Sequence, residues 1–468
     1  MPNYGKVTHE VIQQLRQIVG EKFVITSLES MEKYSHDHTE DLVFFPEVVV
    51  LPQTPEQISE VLKLSNKYVI PVTPRGAGTG LSGGALPTEK GILLSVERLN
   101  RIIAIDEKNL QATVEPGVIT QEFQEAVKAK RLFYPPDPAS KGSCFIGGNL
   151  AENSGGPKAV KYGVTSDYVL NLEVVLPTGE IIWTGANVLK NATGYNLTQL
   201  MVGSEGTLGI ITKAVFKLLP HPQHDLLMLV PFTSAEEACK AVSSIFMAGV
   251  TPSAMELMEK SAFELGKKTV GDDMVAANSD VEAFLLIEVD GNDVDVLMKE
   301  MEIIHQVLEH FETGEILFAD DAAQKERLWK IRRVIGEAVK MQSVYKEEDT
   351  VVPRAALPKL LKGVKIIGEK YGFSSICYGH AGDGNLHVNI LKGDMSDEAW
   401  NNELSKGVEE IFELCVQLKG TISGEHGIGY VQKSFLPIVF SEKNLQLQQH
   451  IKQLFDPQLI LNPNKIFP

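Results

Sequence analysis

Short apolar runs and amphipathic stretches alternate along the first half of the chain. Thr54, followed by Pro55 and then by Gln57 at the third helical position, is typical of a helix N-terminus. The spacing of apolar residues predicts helices over 8–40, 55–67 and 120–130. Short apolar or alternating runs predict strands over 44–51, from Tyr68, and over 92–96, 101–106 and 112–117.

From His221 onward the pattern changes to longer amphipathic helices and fewer glycines. Helices are predicted over 234–248, 295–311, 321–342, 355–371 and 397–419. The run AFLLIEVDG, residues 283–291, predicts a strand. An antiparallel sheet with helices on one face fits this half better than a parallel α/β sheet, so the expected class is α+β.

Composition and charge exclude some classes of protein and some kinds of partner. The chain has 468 residues, 43% of them hydrophobic, which predicts a soluble protein of two or three domains. Its 44 basic and 61 acidic residues give a net charge of −17, which argues against nucleic acid as a partner. No apolar run reaches the length of a membrane span, and the amphipathic N-terminus is unlike a signal peptide, so we expect a cytoplasmic protein.

The cysteines are widely separated and form no CxxC pair, so neither an iron–sulfur cluster nor a disulfide framework is indicated. Buried thiols are expected at Cys144, Cys239, Cys377 and Cys415.

A glycine-rich loop follows the strand that begins at Tyr68. Glycines at this density leave backbone N–H groups bare, an arrangement that can cradle a pyrophosphate. Gly78, Gly80 and Gly83 match the GxGxxG pattern of nicotinamide-dinucleotide sites. That interpretation fails because Pro87 and another apolar strand follow, which leaves no room for the crossover helix that a Rossmann site requires.

Two further glycine-rich regions lie over 135–163 and 192–212. Three such loops within 150 residues imply one extended ligand that contacts all of them. PRGAGTGLSGG, SCFIGGNLAENSGG and VGSEGTLGIIT resemble the three flavin-contacting segments of the vanillyl-alcohol-oxidase type of FAD-binding domain. The resemblance implies two α+β subdomains around an FAD, bound noncovalently because the first loop has no histidine to attach it.

This resemblance covers about 43–220, after an N-terminal helical segment over 1–42. It implies pyrophosphate contacts from the first loop and flavin contacts from the other two. The implied cofactor residues are Arg75, Gly76, Ala77, Gly78, Thr79, Gly80, Ser82, Gly83, Pro116, Pro136, Asp137, Gly142, Cys144, Gly147, Gly148, Asn149, Asn153, Ser154, Gly155, Gly206, Gly209, Ile210, Ile211 and Asn464.

Residues 221–420 resemble the cap domain of the FAD-linked D-2-hydroxyacid dehydrogenases, a family that includes D-lactate dehydrogenase, the catalytic glycolate-oxidase subunit and D-2-hydroxyglutarate dehydrogenase. The end of the chain, LILNPNKIFP, resembles the NPGK segment of that family, and Asn464 stands where the family usually has glycine. The resemblance implies that 421–468 returns to the FAD domain.

Two histidines in SSICYGHAGDGNLHVNIL indicate a site in the second half. Apolar runs flank GDGN, so a hairpin brings His380 and His387 together, with Asn389 on the same face as His387. With Glu425 of GTISGEHGIG they form a two-nitrogen, one-carboxylate set that leaves positions open on a divalent metal. A zinc hydrolase would use the same residue types, but the HExxH spacing is absent and the three loops would have no purpose.

In the family that the chain resembles, these three positions bind the metal and the histidine after the glutamate, here His426, is the catalytic base. Arg332, in its W-x-x-R context, matches the arginine that binds the substrate carboxylate, and Asn389 and Lys346 are further implied substrate contacts. Arg332 and Arg333 diverge by about 100° on a helix, so only one of them can face the pocket.

The expected reaction is oxidation of a D-2-hydroxy acid, with the hydroxyl proton taken by His426 and hydride passed to the flavin. Gly336, one turn after Arg332, offers no anchor for a second carboxylate, which favours D-lactate or glycolate over D-2-hydroxyglutarate. A noncatalytic FAD-binding subunit is the alternative. Electrons would leave to an electron-transfer flavoprotein, an iron–sulfur subunit, a quinone or oxygen, and either a homodimer or a hetero-complex fits.

Overall fold

The computed structural model of the chain describes residues 2–272, 280–319 and 321–468. Its helices are α1 (His9–Val19), α2 (Leu28–Met31), α3 (Pro55–Tyr68), α4 (Thr120–Lys128), α5 (Ile146–Glu152), α6 (Ala159–Tyr162), α7 (Leu197–Met201), α8 (Ala235–Met247), α9 (Lys260–Val270), α10 (Val294–Leu308), α11 (Ala322–Arg333), α12 (Ile335–Lys340), α13 (Leu357–Tyr371), α14 (Asp397–Asn402), α15 (Leu404–Gln417), α16 (Leu436–Val439) and α17 (Glu442–Phe455).

The strands are β1 (Val24–Ile25), β2 (Val48–Val50), β3 (Val72–Arg75), β4 (Ile92–Ser95), β5 (Ile102–Asp106), β6 (Gln111–Val114), β7 (Leu132–Phe133), β8 (Val169–Val175), β9 (Ile181–Trp183), β10 (Ile210–Lys217), β11 (Leu219–Pro220), β12 (His224–Phe232), β13 (Ala254–Glu259), β14 (Ala283–Gly291), β15 (Leu317–Ala319), β16 (Tyr345–Val351), β17 (Ser374–His380) and β18 (Asn385–Leu391). The chain forms two compact units, one of Met1–Gly155, Val164–His221 and Glu425–Pro468, the other of Gly156–Gly163 and Pro222–Gly424.

The first unit contains a mixed sheet in the order β1-β2-β4-β3, in which β4 is parallel to both of its neighbours. The predicted helix after Thr54 is confirmed as α3, because Thr54 accepts a hydrogen bond from the backbone N–H of Gln57. α3 connects β2 to β3, and β3 ends at Arg75, so this β-α-β unit delivers the first glycine-rich loop. Near the C-terminus, Asn462 donates its backbone N–H to the Val72 carbonyl of β3 at 2.7 Å.

The prediction that residues 8–40 are helical is wrong at β1, which interrupts the helices of this segment. α1 ends at Gly20, whose φ of 95° lies outside the helical region. Val24 and Ile25 then pair with Val50 and Val49 of β2, because β-branched residues fit an edge position of the sheet.

A second sheet of this unit is entirely antiparallel, in the order β5-β6-β10-β8-β9, and β7 and β11 form a separate two-stranded ribbon. Strands predicted over 92–96, 101–106 and 112–117 correspond to β4, β5 and β6.

The second unit is built on a seven-stranded antiparallel sheet in the order β15-β12-β14-β13-β17-β18-β16. The predicted antiparallel sheet and the α+β class are therefore confirmed. Two predicted helices are each broken: 321–342 divides at Val334 into α11 and α12, and 397–419 divides at Glu403 into α14 and α15.

Helices cover both faces of this sheet, so the expectation of helices on one face is wrong. Successive side chains of a strand point to opposite faces. Tyr378 of β17 belongs to a buried cluster with Trp329 of α11, whereas the adjacent Cys377 lies 3.8 Å from Lys365 of α13. Coverage on both sides explains why β14 is buried along almost its whole length rather than at alternate residues.

Candidate active site

The structure brings segments of all three glycine-rich loops together in the first unit. A Cβ on Gly76 would lie 3.4 Å from the backbone nitrogen of Gly148, so the first and second loops touch. A Cβ on Gly206 would lie 2.7 Å from Pro74, which places the third loop beside the strand that feeds the first. One extended ligand can therefore reach backbone from all three loops.

The first loop presents backbone where a cofactor phosphate could approach. A Cβ on Gly80 would meet nothing within 4 Å. Gly78 has a φ of 73°, and a Cβ there would lie 2.1 Å from the Arg75 guanidinium, so glycine is required. Arg75 donates through Nη2 to the carbonyls of His36 and Lys33, at 2.7 and 3.3 Å. Its buried Nη1 has no hydrogen-bond partner among the described residues, which fits an anionic cofactor.

Several residues that the resemblance implies as cofactor contacts also have partners within the protein. Asn149 donates to Thr120 Oγ1 at 2.6 Å, and Asn153 accepts the backbone N–H of Ser166 at 2.8 Å. Asn464 has a φ of 63°, so it occupies the left-handed region that favours glycine and that asparagine tolerates. These cofactor assignments stay predictions. The four cysteines are free thiols and buried, as predicted.

The second unit holds the two predicted metal-binding histidines. The hairpin β17–β18 is confirmed, and it places the rings of His380 and His387 with their centroids 5.4 Å apart, both buried. In β13, Glu256 is the direct cross-strand neighbour of His380. Its carboxylate lies 2.8 and 3.0 Å from His380 Nδ1, so this nitrogen donates its proton to Glu256.

Glu256 also lies against Arg332, the predicted substrate-carboxylate residue. Arg332 Nη2 lies 2.6 Å from Glu256 Oε2, and both side chains are almost fully inaccessible. Burial alone would raise the pKa of Glu256, but the positive charges of His380 and Arg332 outweigh that effect and hold it below its ordinary value. Arg332 is buried over the Tyr378 ring, whereas Arg333 is exposed, so their predicted divergence is confirmed.

Sequence reasoning missed Glu256. The available signal was an acidic residue in the middle of the apolar run AMELM, residues 254–258, because a buried carboxylate requires a partner.

A third strand supplies further carboxylates on the same face of the sheet. Glu347 and Asp349 of β16 are the cross-strand neighbours of Asn389 and His387. Glu347 Oε1 lies 3.4 Å and Asp349 Oδ1 3.9 Å from His387 Nδ1. Neither amide atom of buried Asn389 has a hydrogen-bond partner among the described residues, so the amide can bind a ligand.

Lys346 does not join this group. It precedes Glu347 in the strand and therefore points to the opposite face, where its Nζ lies 3.4 Å from Glu348.

The chain passes from the second unit to the first between Gly424 and Glu425. Asp349 accepts the backbone N–H of Gly424 at 2.8 Å. Gly427, just after His426, has a φ of 78°, and a Cβ there would lie 1.9 Å from Glu152. The glycine after the Glu425–His426 dipeptide is therefore required for the turn and for the close approach of the backbone to Glu152.

Family comparisons agree with these features. A family described as "FAD linked oxidases, C-terminal domain" matches residues 221–466, and one described as "FAD binding domain" matches residues 46–185. The chain belongs to the FAD-linked oxidases. This FAD-linked oxidase is an oxidoreductase that binds FAD, which favours the flavin interpretation over the zinc hydrolase.

Curated relatives match this FAD-linked oxidase along nearly its whole length. It is 37% identical to the glycolate oxidase subunit GlcD of Bacillus subtilis (strain 168), over 98% of this chain and 97% of that protein. It is 35% identical to a D-lactate dehydrogenase of Anaerostipes hadrus, over 99% and 98%. It is 31% identical to a D-2-hydroxyglutarate dehydrogenase of Stutzerimonas stutzeri (strain A1501), over 98% of each chain.

Solved structures confirm the predicted type of FAD-binding fold. p-Cresol methylhydroxylase with substrate bound superposes with a TM-score of 0.80 at 17% identity, over 98% of this chain and 96% of that one. At this identity the likeness shows the fold alone. Within the described residues of this FAD-linked oxidase, every helix is too short or too polar to cross a membrane.

Proposed function

We propose that this protein oxidises a D-2-hydroxy acid to the corresponding 2-oxo acid, with D-lactate or glycolate favoured. The observation that carries the proposal is the buried group of His380, His387, Glu256 and Arg332 beside the unsatisfied amide of Asn389. The names of the relatives, which include a glycolate oxidase subunit and D-lactate dehydrogenases, support the substrate class.

Three residues of the chain would bind the substrate, orient it and accept its proton. Arg332 binds the substrate carboxylate, because its Nε has no hydrogen-bond partner among the described residues and a guanidinium fits a carboxylate fork. Asn389 orients the substrate through its amide. His426 accepts the hydroxyl proton of the substrate. The substrate also loses the hydride on its Cα, which gives the 2-oxo acid.

Two bound groups would complete the site. The donor set fits a divalent metal held by His380, His387 and Glu425, because Glu256 fixes the His380 tautomer and both imidazoles lie on one face. When bound, FAD supplies hydride acceptance at the flavin and the cation supplies acidification of the substrate hydroxyl.

The position one helical turn after Arg332 bears on whether the substrate has one carboxylate or two. Gly336 lies one turn further on, and a Cβ there would be 3.2 Å from the Tyr378 hydroxyl. No side chain at this position can bind a second carboxylate, which supports lactate or glycolate. D-2-hydroxyglutarate is the second candidate, favoured by the relative of that name.

The reduced flavin requires an acceptor outside this chain, and we propose an electron-transfer flavoprotein, an iron–sulfur subunit or a quinone. We further propose that 43–220 and 221–420 act as FAD-binding and substrate domains, with 421–468 completing the former.

Anaerobic mixing of the holoenzyme with a panel of 2-hydroxy acids tests the reaction. Bleaching of the flavin absorbance by D-lactate or glycolate, with L-lactate inactive, is the expected result. Faster bleaching by D-2-hydroxyglutarate would reassign the substrate. A flavin that no member of the panel bleaches would indicate the noncatalytic FAD-binding subunit instead.

Elemental analysis tests the metal. Wild type should contain about one divalent ion per chain, and His387→Ala should lose it while its FAD content stays normal, since the implied cofactor residues all lie in the other unit. Equal metal content in both proteins would refute the assignment.

A further inference from the structure

Two buried carboxylates hold the backbone on either side of the Glu425–His426 dipeptide. Before it, Asp349 Oδ2 accepts the N–H of Gly424 at 2.8 Å and the hydroxyl of Ser423 at 3.1 Å. Asp349 is itself fixed, because its Oδ1 accepts from Asn385 Nδ2 at 2.6 Å.

After the dipeptide, Glu205 of the first unit likewise accepts hydrogen bonds from the backbone. Its Oε1 accepts the N–H of Ile428 at 2.8 Å, and its Oε2 accepts the N–H of Gly429 at 2.6 Å. Glu205 is buried and has a φ of 50°, an uncommon conformation for a residue other than glycine. Surrounding structure must stabilise that conformation, which is typical of a constrained functional segment.

We propose that Asp349 and Glu205 are positioning residues that clamp the two ends of the Glu425–His426 segment and thereby set the position of the His426 imidazole. The inference rests on the proposed function, in which His426 accepts the hydroxyl proton. Neither carboxylate touches the substrate in this scheme. Each acts through backbone hydrogen bonds, and charge-assisted bonds of this kind are about twice as strong as neutral ones.

A neighbouring carboxyl provides the matched control. Glu152 is even closer to Gly427 than Glu205 is, and a Cβ on Gly427 would meet both side chains. Burial and the charge of Glu205 raise the pKa of Glu152 well above its ordinary value. Burial also raises the pKa of Glu205, but the N–H groups of Ile428 and Gly429 and the charge of Lys465 oppose that effect. Glu152→Gln therefore changes a buried carboxyl in the same surroundings and leaves both N–H bonds to Glu205 in place.

The test compares Glu205→Gln, Asp349→Asn and Glu152→Gln holoenzymes. Glutamine at 205 can accept only one of the two N–H groups and turns an N–H toward the other. We expect anaerobic flavin reduction by D-lactate, or by glycolate if that is the substrate, to slow at least about tenfold in the first two variants. In Glu205→Gln, FAD content and the substrate concentration for half-maximal rate should change less than about twofold. Glu205→Asp, which keeps both acceptor oxygens, should recover part of the rate.

A readout independent of turnover is the imidazole resonance of His426 at one fixed pH in histidine-labelled protein, assigned with His426→Ala and followed by NMR. Glu205→Gln should shift this resonance, whereas Glu152→Gln should leave it unchanged. If no 2-hydroxy acid reduces the wild-type flavin, the proposed function fails and the resonance alone decides the positioning role. Wild-type rates and an unshifted resonance in both Glu205→Gln and Asp349→Asn would overturn it. If Glu205→Gln loses FAD, the rate and the resonance of Asp349→Asn decide whether the clamp positions His426.

Discussion

Replacing Glu256 by glutamine should both weaken binding of the proposed metal and destabilise the second unit. The carboxylate accepts from His380 Nδ1 and neutralises Arg332 at 2.6 Å, with no exposed surface of its own. Removing one partner of a buried ion pair leaves the other charge uncompensated, which costs about 3–5 kcal/mol. Loss of the carboxylate that orients a ligating histidine lowers metal affinity by about 10–100-fold.

Glu288→Gln is the matched control for this experiment. Glu288 is a buried carboxylate on the adjacent strand β14, where it accepts from Trp329 Nε1 at 2.8 Å and forms an ion pair with Lys158. Competition with a chelating dye gives metal affinity, and urea unfolding gives stability. Both variants should lose stability, but only Glu256→Gln should lose metal affinity. Equal metal affinity in Glu256→Gln and wild type would refute the orienting role.

Three further outcomes are expected. His426→Ala should retain FAD and metal but slow anaerobic flavin reduction by at least about a hundredfold, and a near wild-type rate would place the base elsewhere. Gly78→Leu should lose FAD, measured as flavin released by acid, because its φ of 73° and a Cβ 2.1 Å from Arg75 exclude a side chain. Burial holds the pKa of Glu152 above its unfolded value, so the contribution of this group to stability should fall as pH rises above about 4.3, by up to about 1.4 kcal/mol per unit. Urea unfolding should therefore show wild type losing stability relative to Glu152→Gln as pH rises through that range.

Local patterns predicted much of the fold. The cap at Thr54, the hairpin around GDGN and the strand 283–291 all follow from short-range periodicity and turn chemistry, and all are present. The helical prediction for residues 8–40 fails at β1 for a different reason. Val24 and Ile25 pair with β2, and a contact with a strand more than twenty residues away cannot be predicted from helical spacing.

The candidate site was predictable where its residues are close in sequence. His380 and His387 lie on two strands of one hairpin, so their proximity follows from the turn. Glu256 reaches the same face from β13, more than a hundred residues earlier, and only the register between β13 and β17 places it beside His380. Lys346 is the opposite case, a residue that was predicted to contact the substrate and does not lie at the site. The register of β16 against β18 places it on the other face of the sheet.

The charges around His380 and His387 give an independent argument for a cation. Three carboxylates, Glu256, Glu347 and Asp349, lie near one or the other imidazole, and Arg332 is the one guanidinium of this described group. With both imidazoles counted as neutral, the state in which they could bind a cation, this leaves two negative charges in excess, in a buried setting where a 2-hydroxy acid would add a third at high cost. A divalent cation would offset that excess. Binding of the cation and of the acid should therefore strengthen each other by the same factor. Dialysis against a chelator should weaken D-lactate binding, measured by flavin perturbation under anaerobic conditions, and an unchanged affinity would show that Arg332 and Asn389 suffice without a cation.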